Sequence, residues 1–197
     1  MLFRSIVLDP ADGVGELTPG RIRRLCDRHF GVGSDGILLG PVTGKMTVAG
    51  AMPGWPGGAE PSDGFGLRIF NPDGSEAEKS GNGLRIFARF LFDTGRVGEQ
   101  PFSVRTLGGD VRCRVLDGGR RVTVGMGRVS FRSGDIPVAG PDREVLRETM
   151  LVGGRTVTFC AATVGNPHCV VLCEAISAAM ARELGPAIET DGRFPRR

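Results

Sequence analysis

No stretch of this sequence approaches the ~18 consecutive apolar residues that a membrane-crossing helix needs. The opening "MLFRSIVLDPADG" holds only a short apolar stretch, interrupted by Arg4 and closed by Asp9, so neither an anchor nor a leader is predicted there. A basic arm is missing too: 25 basic and 22 acidic residues are mixed along the chain for a formal charge of +3, without the one-faced cationic stripe of nucleic-acid binders. Neither membrane nor nucleic acid is expected as a partner. The five cysteines, Cys26, Cys113, Cys160, Cys169 and Cys173, are odd in number and lack a C-x-x-C pair, which argues against a disulfide frame and for reduced, mostly buried thiols in a soluble cytoplasmic protein. His168, Cys169 and Cys173 make a poor zinc set, because adjacent strand residues point to opposite faces and no fourth ligand is near. No metal is expected. Histidine is scarce, with only His29 and His168, and nothing in their spacing makes either the partner base of a serine.

What is present suffices for a real core, since a chain of 197 residues buries roughly 70% of the surface that its unfolded form exposes. Of the 32 glycines and 13 prolines, the densest cluster, Val48 to Gly66, reads as a long surface loop. Before it, "TPGRIRRLCDRHFG" predicts a helix capped by Thr18, with Pro19 in its first turn, Ile22, Leu25 and Cys26 on one face and Gly31 as its stop. "GILLG" and "FGLRIF" read as strands, the second with Phe65, Leu67 and Ile69 on one face. "LRIFARFLFDTG" is apolar on nearly all sides, with Arg85 and Arg89 as the main polar exceptions, so this helix should be mostly buried. "FSVRTL", "DVRCRVL", "RRVTVGM" and "RVSFRS" predict an antiparallel meander. "TVTFCAATVGNPHCVVLC" adds two strands around a Gly-Asn-Pro turn, "AISAAMARELGPAI" a last helix, and "GRFPRR" a polar ending with nothing obvious to pack. The class is α+β, and the change of pattern near residue 118 marks a domain boundary, giving 1–117 and 118–197.

Three motifs carry chemistry. "GVGSDG" fits G-x-G-x-x-G, but a helix precedes it and a strand follows, the reverse of the dinucleotide-binding order, so it reads as a glycine-rich turn. In "FNPDGSEAEKSGNGLRIF", Asn71 to Gly74 has turn chemistry, and the following helix begins with Gly81, Asn82 and Gly83, whose bare N–H groups favour an anion the size of a carboxylate. Ser80 stands at the N-cap, where serine is a sufficient structural choice worth about 1 kcal/mol; it also stands where a reacting group would. In "VGNPHCVV", Asn166 either holds a polar ligand or closes its turn as an Asx residue, and His168 reads as structural.

Taken together, "LCDRHFGVGSDGILL", "RIFNPDGSEAEKSGNGLRIFARFL", "VGNPHCVV" and "LGPAIETDGRFP" resemble diaminopimelate epimerase in order and spacing, from about Arg21 to Pro195. The resemblance implies a homodimeric isomerase that needs no cofactor, PLP included, and interconverts LL- and meso-diaminopimelate for lysine and peptidoglycan synthesis. It implies two pseudo-symmetric α+β lobes, each a curved, mainly antiparallel sheet around a central helix, with the amino-acid substrate between them and a cysteine as base and another as acid. It carries substrate contact to Asn71, Gly81, Asn82 and Asn166, and it places Ser80 where the family has the first cysteine. The family's N-terminal "GLGND" segment has no counterpart here, and the second cysteine's motif is not found, so the second lobe is expected to be incomplete.

The serine matters because of magnitude. A thiol starts near pKa ~8.5, within reach of a helix N-terminus aided by cations, whereas a hydroxyl starts far higher and each tenfold gain in acidity takes about 1.36 kcal/mol. The residues therefore predict an impaired or inactive epimerase. Two other readings stand beside it: a noncatalytic amino-acid-binding or assembly subunit, and an isomerase of another substrate that uses Glu76 or Glu78 as its base.

Overall fold

The unalternated apolar run of "GILLG" has a simple cause in the computed structural model, which describes residues 4–42 and 64–195. Strand β2 (Ile37–Val42) is covered on both faces. Leu38 joins one core cluster while Ile37 and Leu39 join another, since successive side chains of a strand alternate. β1 (Ile6–Leu8) lies parallel to β2 on one side, and β3 (Phe65–Phe70) lies antiparallel on the other. The two-residue β4 (Glu76–Ala77) folds back on β3, and the sheet continues through β5 (Phe102–Thr106), β6 (Gly109–Leu116) and β7 (Arg121–Gly125). Except for β1–β2 and β3–β5, the pairings are antiparallel.

Two helices cover this sheet. On one face α2 (Gly81–Asp93) sets Leu84, Phe87, Ala88 and Leu91 against Leu38, Leu67, Ile69, Val104, Val111, Cys113 and Val115. Each large side chain buried so completely contributes about 1.5–3 kcal/mol of transfer free energy. On the opposite face α1 (Pro19–Cys26) packs Ile22 and Cys26 on Ile37, Leu39 and Phe70. Thr18 caps α1 as expected, its Oγ1 accepting from the Arg21 N–H at 3.3 Å.

Helix α1 ends at Cys26, short of the stop expected at Gly31. The Asp27 carboxylate accepts from the N–H groups of His29 and Phe30 at 2.7 and 2.8 Å, which turns the chain out of the helix. Those two bonds, Phe30 first, hold the Asp27 carboxyl below its ordinary range. The chain then doubles back: the N–H groups of Val32 and Gly33 donate to the Leu25 carbonyl, and that of Ser34 to Cys26. A Cβ on Gly31 would lie 1.9 Å from the Arg24 carbonyl oxygen. "GVGSDG" is thus a capping loop for helix carbonyls that would otherwise go unpaired.

The chain divides into two compact units, Met1–Met126 and Gly127–Arg197. The change of pattern near residue 118, where the ranges 1–117 and 118–197 were expected to meet, is the turn joining β6 to β7 of the first sheet. In the second unit β8 (Glu148–Val152), β9 (Arg155–Thr163) and β10 (Pro167–Leu172) form an antiparallel sheet in the order β10-β9-β8. Helix α3 (Ala178–Glu189), capped by Ser177, places Leu184 on a core of Ile136, Val138, Val145, Met150, Val152, Phe159 and Ala161. The fold is α+β, mixed and mainly antiparallel sheets with few helices.

Several expectations change. "RVSFRS" is not a strand but gives isolated bridges from Ser130 to Thr163 and from Arg132 to Glu144, because the chain turns at once, the Asp135 N–H donating to the Arg132 carbonyl. Strand β8 was not anticipated, although Gly153 and Gly154, both at positive φ, are the turn chemistry of a tight hairpin. "GRFP" does pack: Phe194 meets Phe159 edge to face at 6.0 Å, and the Arg193 carbonyl accepts from the Ala139 N–H. Only Cys26 and Cys113 are buried, Cys160 and Cys169 are half-buried, and Cys173 is exposed where the chain leaves β10. All five are free thiols. Of the loop expected at 48–66, residues up to 63 lie outside the described residues, and Phe65 and Gly66 begin β3.

Two measurements check this packing. Phe87, fully buried, should cost about 3–5 kcal/mol of unfolding free energy on truncation to alanine, while Phe30→Ala, at a residue 96% exposed, should stay within about 0.5 kcal/mol; denaturant titration of both variants decides. The second concerns Glu148, whose carboxyl is held below its ordinary range by its hydrogen bonds to Arg143. A depressed folded pKa stabilises above the unfolded value of about 4.3 and loses that stabilisation as pH falls through the folded pKa. Denaturation midpoints taken between about pH 6 and 3 should therefore fall less steeply in Glu148→Gln than in the parent chain.

Candidate functional site

The head of α2 is set by Ser80, whose extended backbone (φ −142°, ψ 115°) breaks the helix. Its Oγ accepts from the Gly83 N–H at 3.1 Å, and its carbonyl accepts from Leu84 in the first helical bond. That leaves the N–H groups of Gly81 and Asn82 with no protein acceptor among the described residues. Two such donors at the positive end of a 13-residue helix are of the kind that suits an anion.

The two glycines serve different ends. A Cβ on Gly83 would come within 2.9 Å of Leu38 Cδ2, so glycine there lets the helix sit directly on β2. At Gly81 a Cβ would lie 3.4 Å from the Met126 Sδ, an ordinary van der Waals contact, so the head of the helix lies beside that thioether without a steric demand for glycine. Sequence reasoning missed Met126, because its place beside Gly81 is a consequence of sheet order alone. It also missed the burial of Lys79, whose stem lies along Gly108, where a Cβ would meet both Lys79 Cβ and Cε at 3.2 Å.

Asn71 ends β3 and spends its bonds on its own turn. Its N–H donates to the Ser75 carbonyl at 2.8 Å and its Nδ2 to Ser75 Oγ at 3.0 Å. The Asp73 carboxylate accepts from the Ser75 hydroxyl and N–H, the hydroxyl chiefly holding its carboxyl below the ordinary range. Arg23 ties the turn to α1 through the Asp73 carbonyl at 2.9 Å. Asn166 belongs to the second unit, half-buried in the turn after β9, next to Gly165, whose N–H donates to Thr163 Oγ1. Ser80, Gly81 and Asn82 thus form one head; Asn71 keeps its hydrogen bonds within its turn.

A carbon-acid reaction needs a base, and the candidates differ in how they are held. Glu76 is clamped by Arg68, with Nε and Nη2 each 2.8 Å from a carboxylate oxygen, and the same bonds raise the Arg68 pKa. Both Glu76 oxygens are occupied by the guanidinium, so of the two glutamates only Glu78, exposed, is left unclamped among the described residues. Burial pushes the Cys113 and Cys169 thiols up to about 11 and raises Cys26 as well, so these three stay protonated at neutral pH. His29 and His168 are both exposed, the latter on β10 opposite Ala162. Among the described residues no group of three or more His, Cys, Asp or Glu side chains is placed to hold a metal, and no helix is long and apolar enough to cross a membrane.

The pattern of known diaminopimelate epimerases matches residues 5–132. Diaminopimelate epimerase 2 of Nostoc sp. is 51% identical over 192 residues, 98% of this chain and 62% of that protein. Diaminopimelate epimerase of Moorella thermoacetica is 39% identical over 182 residues, 91% of this chain and 59% of its own. The chain therefore spans about three fifths of the length of these curated relatives. Among solved structures, a hydroxyproline epimerase from Agrobacterium vitis shares the fold at a TM-score of 0.52 and 18% identity, over 84% of this chain and 41% of that one. A probable proline racemase from Agrobacterium radiobacter does so at 0.55 and 17%, over 82% and 44%. With the head of α2, the turn at Asn71 and β1 to β7 all inside the matched stretch, this chain belongs to the diaminopimelate epimerase family.

Proposed function

We propose that this chain is a diaminopimelate epimerase-like protein that holds an amino acid by its α-carboxylate at the head of α2 and inverts the α-carbon little or not at all. The observation that carries this reading is the division of labour at that head. Ser80 Oγ accepts from Gly83, while the N–H groups of Gly81 and Asn82 are left for a ligand. Inversion needs a base on one face of the α-carbon and an acid on the other, with fixed positive dipoles to disperse the developing charge. The helix head meets the last need and orients the substrate. It does not make Ser80 a base: about 0.3–1 kcal/mol from a helix terminus changes an acidity constant by less than tenfold, and an oxygen already accepting a hydrogen bond is less basic still.

The substrate class follows from relatives named for diaminopimelate, a compound on the route to lysine and peptidoglycan. Asn71 and Asn166 are proposed to hold its polar groups, in a cytoplasmic homodimer without cofactor. A noncatalytic amino-acid-binding or assembly subunit is the second reading, and Ser80 in the role of cap favours it. The third, an isomerase of another substrate, keeps Glu78 alone, since Arg68 occupies Glu76.

Calorimetry with LL-diaminopimelate should show binding that weakens roughly tenfold or more in Asn82→Pro, which removes one donor to a charged group while suiting the first helical turn. Absence of any binding would overturn the carboxylate site. In heavy water, deuterium uptake at the α-carbon should stay far below epimerase rates, and Ser80→Ala should leave binding intact while costing about 1 kcal/mol of stability. Uptake at ordinary enzyme rates that disappears in Ser80→Ala would make Ser80 the base after all.

A further inference from the structure

Of the 25 basic residues only two are lysines, Lys45 and Lys79, and all the others are arginines. Lys45 lies outside the described residues. Lys79 immediately precedes Ser80, the cap of α2, and is only 7% exposed. Its side chain makes no hydrogen bond or ion pair among the described residues. Glu78 beside it is exposed and Glu76 is held by Arg68, so neither carboxylate neutralises it. Among the described residues no fully enclosed side-chain nitrogen or oxygen lacks a partner. The unpaired Lys79 Nζ is therefore the part of the residue that opens outward, at the end of a covered stem.

The turn between β5 and β6 holds that stem. The Gly108 N–H donates to the Glu78 carbonyl at 2.8 Å. A Cβ on Gly108 would come within 3.0 Å of the same carbonyl oxygen and 3.2 Å of both Cβ and Cε of Lys79, so bare backbone lies along the stem from its root to the carbon that carries the nitrogen. What the turn holds in place is a compact point charge rather than the wide planar fork that the chain uses elsewhere. The helix beside it adds a positive end of its own. The first turn of α2 holds no acidic residue, although a carboxylate there is the ordinary complement of a helix dipole. Two positive elements, one ~3.8 Å Cα step apart along the chain, thus stand without a negative partner among the described residues.

We infer that Lys79 is a binding residue of the anion site at the head of α2. Its ammonium group supplies a full positive charge where the N–H groups of Gly81 and Asn82 supply directed donors, so the site selects a ligand with a free carboxylate over the corresponding neutral amide. This rests on the carboxylate site proposed above and adds to it a charge that backbone N–H groups lack; hydrogen bonds between charged groups are the stronger kind. Burying a lysine stem costs side-chain freedom, and no ion pair within the described residues offsets that cost. A side chain that only filled the space along Gly108 would need no charge, and methionine, unbranched and adaptable, would serve as well.

The test is calorimetry with LL-diaminopimelate at low and high salt on the parent chain, Lys79→Met and Lys79→Arg. Lys79→Met, which keeps a stem and removes the charge, should weaken binding at least about tenfold and should lose most of the salt dependence that the parent shows. Lys79→Arg should retain more of both than Lys79→Met, and denaturation midpoints should show the variants folded. A second measurement needs no variant: labelling of the parent chain with an amine-specific reagent, read by peptide mass, with Lys45 as the internal reference. Saturating LL-diaminopimelate should lower labelling of Lys79 relative to Lys45 about fivefold or more. Binding by Lys79→Met as tight and as salt-dependent as in the parent, while Asn82→Pro still weakens it, would overturn the inference and leave the carboxylate site standing. So would a labelling ratio that bound ligand does not change, or a Lys79 inert to the reagent without ligand. No binding by the parent chain would overturn both readings together.

Discussion

Helix α2 can be apolar on almost every side because the first sheet gives it Leu38, Leu67, Ile69, Val104, Val111 and Val115 to pack against. That burial fixes where the helix starts. With Phe87, Ala88 and Leu91 fully inside, the helix cannot slide along its axis without exposing them, so its first turn is held at one place on β2, where only glycine fits at residue 83. The cap, the N–H groups of Gly81 and Asn82 that find no acceptor among the described residues, and the nearness of Met126 to Gly81 are consequences of that seat.

At this head, structure and chemistry compete for one residue. Ser80 is well chosen to start a helix: it has an extended backbone, and its oxygen is placed for the N–H three residues on. The same geometry commits the oxygen as an acceptor, which is the opposite of what proton abstraction needs. A thiolate in the same place would have a pKa that a helix terminus can usefully lower. The donors of this helix head and a side chain at its cap are therefore separable, since the former are backbone N–H groups and the latter is one residue.

The second unit has the same logic with fewer parts. Its sheet, α3 and Phe194 enclose one core, and the polar links around it, such as Arg143 to Glu148, are exposed enough to contribute modestly. Among the described residues, the uncharged opposite face and the unpaired edge of β10 are what separate it from the first unit, whose sheet is packed on both sides.

Local chemistry was legible in the sequence wherever it was strong. Thr18 before Pro19, Ser80 before the glycines, the alternation of β5 to β7 and the α+β class all follow from short-range rules of capping and periodicity. The exact end of α1 was not, because the Asp27 side chain accepts from the N–H groups of His29 and Phe30 and ends the helix before the stop expected at Gly31. Nor were the clamp of Arg68 on Glu76, the thioether beside Gly81 or the docking of Phe194 on Phe159. The sequence by itself determined where α1 and α2 begin, the alternation of β5 to β7 and the bare N–H groups of Gly81 and Asn82 at the head of α2, because those depend on neighbours a few residues apart. Only the tertiary structure decided which carboxylate is tied up, which thiols burial pushes up and which sheet face is left uncovered among the described residues, since each depends on residues brought together across the chain.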